Sequence, residues 1–216
     1  MELKFTNDNG LFRLLGDNTS ESIALSPGQL TNIPGGVWVL GGNDTIIGSA
    51  DSEQIFGNEG QDSISGGEEN DSLFGGKGND QLFGDAGDDF LLGDKDIDTL
   101  TGGQGRDTFA LSTGGGLDII TDFENGSDFI QVPVGVSISD ILIQAAGANT
   151  ILSLRSTGEQ LAQLNNVQAS TITTASLLLA NQPPIESPPP SINIPQPPSQ
   201  PPIPLLPDFP QPIISL

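Results

Sequence analysis

The feature that most constrains this chain is a nine-residue repeat that runs from Val39 to Ala110 without an insertion or deletion. Each of its eight units has an acid at the sixth position, namely Asp44, Glu53, Asp62, Asp71, Asp80, Asp89, Asp98 and Asp107. A large apolar residue follows two positions later, namely Ile46, Ile55, Ile64, Leu73, Leu82, Leu91, Leu100 and Phe109. One unit is too short to bury its own apolar side chain. The units must therefore stack on one another to form a continuous core.

The unit from Gly75 to Phe83 shows what stacking requires. Its glycines favour a tight turn, because a residue without Cβ enters positive φ at little steric cost. Its last three residues then make a short strand, and parallel stacking sets neighbouring strands about 4.8 Å apart. Acids of successive units would repel at that distance by roughly 0.9 kcal/mol in bulk water, and by more in a desolvated groove. Carboxylate and carbonyl oxygens suit a hard cation, and flexible coordination favours Ca²⁺ over Mg²⁺.

These residues also carry a family resemblance. The pattern G-G-x-G-x-D-x-U-x, where U is a large apolar residue, is nearly intact from Gly75 to Phe83 and from Gly102 to Ala110. It resembles the RTX (repeats-in-toxin), haemolysin-type calcium-binding repeat. The resemblance covers roughly residues 39–132 and implies an all-β fold, a right-handed parallel β-roll in which two units complete one turn.

The resemblance further implies that Ca²⁺ lies between loops on the same edge of the roll. One edge would present Asp44, Asp62, Asp80 and Asp98, and the other Glu53, Asp71, Asp89 and Asp107. Turn carbonyls would supply the remaining ligands, from Gly60, Gly76, Gly78, Gly87, Gly103 and Gly105.

Some units depart from the pattern, and we expect them to bind calcium least well. The first begins with Val39-Leu40, the second carries Glu53 at the ligand position, and the seventh carries acids at its second and fourth positions. The fourth-position glycine is replaced in three units, by Asp51, Glu69 and Asp96. Because Asp tolerates left-handed φ moderately and Glu less, looser loops are expected there.

Composition excludes several other functions. The chain has 28 acids against 6 basic residues, a net charge of −22, so nucleic acid and anionic membrane surfaces are unsuitable partners. Cysteine and histidine are both absent, which removes disulfides, zinc–thiolate sites and the usual general base. The carboxylates share one environment, whereas catalytic pairs need two, so no enzyme activity is expected. No apolar run is long enough to insert in a membrane.

The flanks of the repeat are predicted to close the roll. Residues 1–38 read as an N-terminal β cap, with Trp38 as a plug over the apolar column. Residues 111–180 read as the C-terminal closure and β cap. The spacing D-x-I-x-D-F from Asp118 to Phe123 resembles the segment that follows RTX repeats. Its acids Asp118 and Asp122, and the nearby Asp128, would either add calcium ligands or be solvated.

Residues 181–216 are predicted to form a disordered tail, since 14 of the 17 prolines lie between Pro183 and Pro212. This tail could act as a spacer, a docking motif or an address for type I secretion machinery. The N-terminal residues lack the apolar core of a cleavable signal peptide. We therefore expect a secreted or cell-surface protein that is exported by another route.

Two functions remain open at this stage. The first is calcium binding that drives folding after secretion. The second is a cell-surface structural or adhesive module that self-associates through the roll. Self-association would use a stripe on the outer face of one sheet, formed by the ninth-position residues Phe56, Phe74 and Leu92.

Overall fold

The computed structural model describes residues 4–8, 11–30 and 36–180. The proline-rich tail predicted for residues 181–216 lies outside the described residues. Strands occupy about half of the described part, which also contains three short 3₁₀ turns at Ile138–Asp140, Ala169–Thr171 and Thr174–Ser176. No α-helix occurs among the described residues. The all-β fold expected from the repeats is confirmed.

The strands form two nine-stranded sheets. In spatial order, the first sheet contains β1 (Lys4–Asp8), β2 (Leu11–Leu15), β4 (Val37–Trp38), β6 (Gln54–Glu59), β8 (Ser72–Lys77), β10 (Phe90–Lys95), β12 (Thr108–Ala110), β14 (Phe129–Val132) and β18 (Leu177–Leu179). The second contains β15 (Ile141–Ala146), β16 (Asn149–Leu154), β17 (Gln160–Leu164), β13 (Asp118–Ile120), β11 (Thr99–Gln104), β9 (Gln81–Ala86), β7 (Ser63–Glu68), β5 (Thr45–Ser49) and β3 (Ser22–Ala24).

Within the repeat, consecutive strands alternate between the two sheets, and neighbours in a sheet are parallel. Leu73 pairs with Ile55 on one side and with Leu91 on the other, so the register between neighbouring strands is 18 residues. Two nine-residue units therefore complete one turn, which confirms the parallel β-roll. Turns on one edge lead from the first sheet to the second, and turns on the opposite edge lead back.

The eighth-position residues form the predicted apolar column between the sheets, and all eight are fully buried. The column continues beyond the repeat through Ile23 and Val37 at one end and through Ile120 and Ile130 at the other. After the repeat, β15, β16 and β17 form an antiparallel meander that joins the second sheet through the parallel pair β13–β17.

Trp38 does not close the end of this column, contrary to the prediction. It lies in a second apolar cluster with Phe56 and Phe74, and its ring stacks on Phe56 with centroids 4.2 Å apart. Phe56 stacks in turn on Phe74 at 4.6 Å. The strand pairing explains this arrangement, because Trp38 is directly opposite Phe56 in β6. Because Trp38 pairs with the ninth-position residue Phe56, its indole extends the predicted stripe of ninth-position residues.

Several turns keep a left-handed φ where glycine is replaced, but Asp51, at the fourth position of the second unit, does not. Glu69 and Asp96, at fourth positions, adopt φ of 66° and 74°, and Asp85 and Asp94 adopt 72° and 78° at second positions. A residue with a Cβ is strained at positive φ, and these residues tolerate that strain because each of their turns must have the same backbone conformation as a turn stacked on it.

Candidate metal site

The sixth-position acids point into the roll instead of into solvent. Along each unit the sixth, eighth and next first positions face inward, and the alternate positions face outward. The exposed fraction of these acids ranges from 0% at Asp98 to 4% at Glu53. Each edge of the roll is therefore closed by a buried row of carboxylates.

One oxygen of each inward carboxylate has a backbone partner. In the repeat, the N–H of each sixth residue donates to the Oδ1 of the acid 18 residues later, over 2.8 Å from Asp44 to Asp62 and 3.0 Å from Asp89 to Asp107. The same bond runs beyond the repeat at both ends. Glu21 donates to Asp44 over 2.6 Å, Asp98 donates to Asp118 over 3.2 Å, and Asp107 donates to Asp128 over 3.1 Å.

The second oxygen has no hydrogen-bond partner in most of these acids. It is buried and unpaired in Asp44, Asp62, Asp71, Asp80, Asp89 and Asp98, and also in Glu21. A buried acceptor without a donor costs about 1–3 kcal/mol. Such oxygens recur in six of the eight units, at the same place in each. This periodicity indicates that they share one kind of partner, and a cation would satisfy these oxygens in their ionised form.

First-position glycines make room for these oxygens. A Cβ built on Gly75 would lie against Oδ2 of Asp80, and one on Gly84 would lie against Oδ2 of Asp89, in both cases closer than real Cβ contacts. The first glycine of the motif is therefore needed for the carboxylate of its own unit.

Burial also changes the titration of the row. Removal from water is the largest cause and raises each pKa, a backbone N–H bond lowers it, and neighbouring carboxylates raise it further. The pKa rises from 3.8 to about 8 in Asp71 and Asp98, to about 7 in Asp80 and Asp107, and to about 6 in Asp62, Asp89 and Asp118. Without a counter-ion, the folded roll resists full ionisation near neutral pH.

The predicted glycine ligands lie in the turns that connect these carboxylates. Gly60, Gly76, Gly78, Gly87, Gly103 and Gly105 all adopt positive φ. A Cβ on any of them would collide with the carbonyl of the residue 18 positions earlier, as Gly78 would with Gly60. The turn backbones are thus stacked closely on one another.

Glu53 differs from the other acids of the repeat. The hydroxyl of Ser49 donates to its Oε1, and the backbone N–H of Ser49 donates to its Oε2 over 3.0 Å. The longer side chain thus reaches back to its own turn, and both oxygens have partners.

The acids after the repeat are also held by backbone amides. The two oxygens of Asp128 accept N–H groups of Asp107 and Glu124, and those of Asp122 accept from Gly102 and Gly103. These bonds terminate the second row at its C-terminal end.

Fifth-position side chains form an outer ladder that the sequence analysis missed. The Oδ1 atoms of Asn43, Asn70, Asn79 and Asp88 accept the N–H of the fifth residue one turn later in the roll, over 2.9–3.1 Å. Asp88, which the motif leaves without a ligand role, is one of these acceptors. The recurrence of Asn at this position was the available signal.

Among the described residues, no three His, Cys, Asp or Glu side chains converge into a metal cluster. A site between two turns would therefore combine carboxylates from two units with backbone carbonyls. The donor set contains only oxygen, as calcium prefers. In the described part, no helix has the length and apolar character needed to cross a membrane.

Comparisons with known proteins agree with this chemistry. The family described as the RTX calcium-binding nonapeptide repeat matches in four overlapping copies, at residues 38–64, 56–91, 65–100 and 83–120. A comparison with curated proteins gave no significant match.

Solved structures with some similarity include two subunits of the Azotobacter vinelandii mannuronan C5-epimerase. The AlgE6R3 subunit is 22% identical, with 87% of this chain and 94% of that one covered and a TM-score of 0.39. The AlgE6R2 subunit is 19% identical, with 77% and 91% covered and a TM-score of 0.32. The extracellular lipase LipA of Serratia marcescens is 17% identical, with 73% and 42% covered and a TM-score of 0.34. Structural similarity at TM-scores below 0.5 is too weak to support a function for this chain.

The identification rests on the repeat itself. The nonapeptide pattern, the 18-residue register of the roll and the family match coincide between residues 38 and 120. Residues 38–120 thus carry RTX-type calcium-binding nonapeptide repeats and fold as a parallel β-roll.

Proposed function

We propose that calcium ions bind between successive turns on both edges of the roll and that their binding drives the chain to fold. The observation that carries this proposal is the recurrence of a buried, unpaired carboxylate oxygen in six of the eight units. Folding without a cation would bury these oxygens unpaired, and folding with one would give each a partner.

We assign the sites to the carboxylates of Asp44, Asp62, Asp71, Asp80, Asp89, Asp98 and Asp107, with turn carbonyls from Gly60, Gly76, Gly78, Gly87, Gly103 and Gly105. Glu53 is left out of this set, because Ser49 satisfies both of its oxygens. Each ion would join two turns of the roll, so binding at one site would favour binding at the next.

Isothermal calorimetry and far-UV circular dichroism test this function. Titration of the calcium-free chain should produce β structure in a steep transition, with a midpoint near 10⁻⁴–10⁻³ M, as in extracellular calcium modules. A spectrum that stays the same with chelator and with calcium would refute the proposal. A hyperbolic titration would argue against coupling between turns.

The calcium affinity that we expect for these sites favours a protein that folds after export. Calcium in that range of concentration is typical outside the cell, so the roll would stay unfolded before export and fold afterwards. We therefore infer a secreted or cell-surface location. We infer no enzyme activity, because the buried acids are assigned to ion binding.

The adhesive alternative receives less support. The stripe that would mediate self-association is formed by neighbouring strands, yet Phe56 and Phe74 are only 3% and 7% exposed. The large apolar side chains that are exposed in the described residues are Ile47, Ile97, Val134, Leu178 and Leu179. Light scattering with and without calcium distinguishes the two functions, since only self-association would raise the molar mass.

A further inference from the structure

We propose that the roll has a further calcium-binding unit before the repeat, from Gly16 to Ala24, which holds a cation between Glu21 and Asp44. This inference rests on the proposed function and extends it beyond the matched repeats, which begin at residue 38. The sequence analysis assigned the segment to the N-terminal cap, and its backbone geometry follows that of a repeat unit.

Backbone contacts place Gly16–Ala24 in register with the first unit of the repeat. Ser22, Ile23 and Ala24 pair in parallel with Thr45, Ile46 and Ile47. The N–H of Thr45 donates to the carbonyl of Glu21 over 2.8 Å, just as the N–H of Ser63 donates to that of Asp44. Ile23 enters the apolar column with 7% exposure. The segment thus has a strand and an eighth-position residue like those of the repeat.

The turn itself also reproduces the repeat. A Cβ on Gly16 would collide with Oε2 of Glu21, as one on Gly75 would with Oδ2 of Asp80. Gly42 adopts φ of 115°, and a Cβ on it would collide with the backbone of Thr19. On the outer ladder, Ser20 Oγ accepts the N–H of Asn43 over 2.9 Å. First, fourth, fifth and sixth positions therefore all have their equivalents.

The carboxylate of Glu21 has the same unmet requirement as the aspartates of the repeat. Glu21 is 5% exposed, and its Oε2 is buried without a hydrogen-bond partner. Its Oε1 accepts the N–H of Asp17 over 3.1 Å. One turn further along the same edge, Asp44 is 1% exposed and also has an unpaired oxygen. Two buried acids from adjacent turns of the roll thus each retain an unpaired oxygen, and a divalent cation held between the two turns would satisfy both.

Glu53 provides a matched comparison. It occupies the same position in its turn, is the same residue type and is similarly buried, with 4% exposure. However, Ser49 donates to both of its oxygens, whereas Glu21 retains an unpaired one. A carboxylate at the sixth position is therefore not sufficient for a site, and the unpaired oxygen distinguishes Glu21.

Calorimetric counting of calcium ions on the full-length chain tests the proposal. Glu21→Gln should bind one ion fewer than the wild type, Glu53→Gln should bind as many as the wild type, and Glu21→Asp should restore the number. An unchanged count in Glu21→Gln would overturn this inference while leaving the proposed function intact. Absence of calcium binding by the wild type would overturn both.

Terbium luminescence gives a second measurement. Trp38 is the only tryptophan and tyrosine is absent, so sensitised emission reports ions near this residue. The carbonyl of Trp38 accepts the N–H of Gly16 over 2.7 Å. Emission should fall in Glu21→Gln and persist in Glu53→Gln, and equal emission would overturn the proposal. If Glu21→Gln fails to fold, rescue by Glu21→Asp supports the site and failure of rescue overturns it.

Discussion

Asp88 and Asp89 separate calcium coordination from general acidity. Each substitution by Asn removes one negative charge from the same turn. Asp88 Oδ1 accepts the N–H of Arg106 over 2.9 Å, a bond that Asn70 makes from the equivalent position, so Asn at residue 88 preserves it. Asp89 Oδ1 accepts the N–H of Asp71 over 2.8 Å, and an amide oxygen preserves that bond too. Only at residue 89 does an amide nitrogen, which cannot bind a cation, replace a buried unpaired oxygen.

In the absence of calcium, Asp89→Asn should stabilise the roll. Burial raises the pKa of Asp89 from 3.8 to about 6. At about 1.36 kcal/mol for each unit of pKa, keeping this group ionised at neutral pH costs the folded state about 3 kcal/mol. The neutral amide avoids that cost, so the free energy of unfolding should rise by up to about 3 kcal/mol. Asp88→Asn should change it by no more than about 0.5 kcal/mol.

With calcium, the sign should reverse. Asp89 faces the gap towards Asp71 and the gap towards Asp107, so its loss removes a ligand from two sites. At a calcium concentration about 100 times Kd, each site contributes about 2.7 kcal/mol, or about 5 kcal/mol for both. After subtraction of the gain in the calcium-free state, Asp89→Asn should be less stable than the wild type by about 2 kcal/mol.

Urea unfolding followed by far-UV circular dichroism, in chelator and in saturating calcium, measures both quantities. Calorimetry should show fewer ions bound by Asp89→Asn and an unchanged number for Asp88→Asn. The reasoning is refuted if Asp89→Asn changes stability in the same direction in both conditions. Indistinguishable curves for the two variants would refute the ligand assignment throughout the repeat.

Three further predictions follow from the same structure. Burial raises the pKa of Asp71 and Asp98 to about 8, so their protonated forms stabilise the calcium-free fold fully below about pH 4, and this stability is lost as the pH rises through about 8. Circular dichroism in chelator should therefore show more β structure near pH 5 than near pH 8.5. The opposite trend would contradict this pH dependence. Gly78→Ala should abolish calcium-induced folding, because the added Cβ would collide with the carbonyl of Gly60. The control Gly147→Ala, at φ of 69° in open space, should lower the free energy of unfolding by only about 1–2 kcal/mol. Equal effects of the two variants would show that close stacking of the turns is unimportant. Deletion of residues 183–216 should leave the calcium titration unchanged. Truncation after Leu111 should weaken folding, because it removes the strands that cover Leu100 and Phe109. Equal damage from both deletions would mean that the tail is structural.

Much of the roll was predictable because its constraints are local and repeated. The period of nine predicted the apolar column and the turns, since each unit imposes the same requirement on its neighbour. The family resemblance implied the two rows of acids. The aromatic stripe was also predictable as a set of strand neighbours, and Phe56 does pair with Phe74. The place of Trp38 was not, because its role depends on which strand pairs with β4. That pairing puts the indole beside Phe56 instead of over the end of the column.

The distinction between Glu21 and Glu53 could not be read from residue type. Glu53 stands in a uniform row and looks like a weaker ligand, yet its side chain is long enough to reach Ser49 within its own turn, and both oxygens are satisfied there. Glu21 stands outside the uninterrupted repeat, because 23 residues separate it from Asp44 where 18 separate Asp44 from Asp62. The five extra residues hide the period from the sequence without disturbing the register of the strands. The unpaired oxygen beside a first-position glycine therefore distinguishes Glu21 from Glu53, and only the stacked structure reveals it.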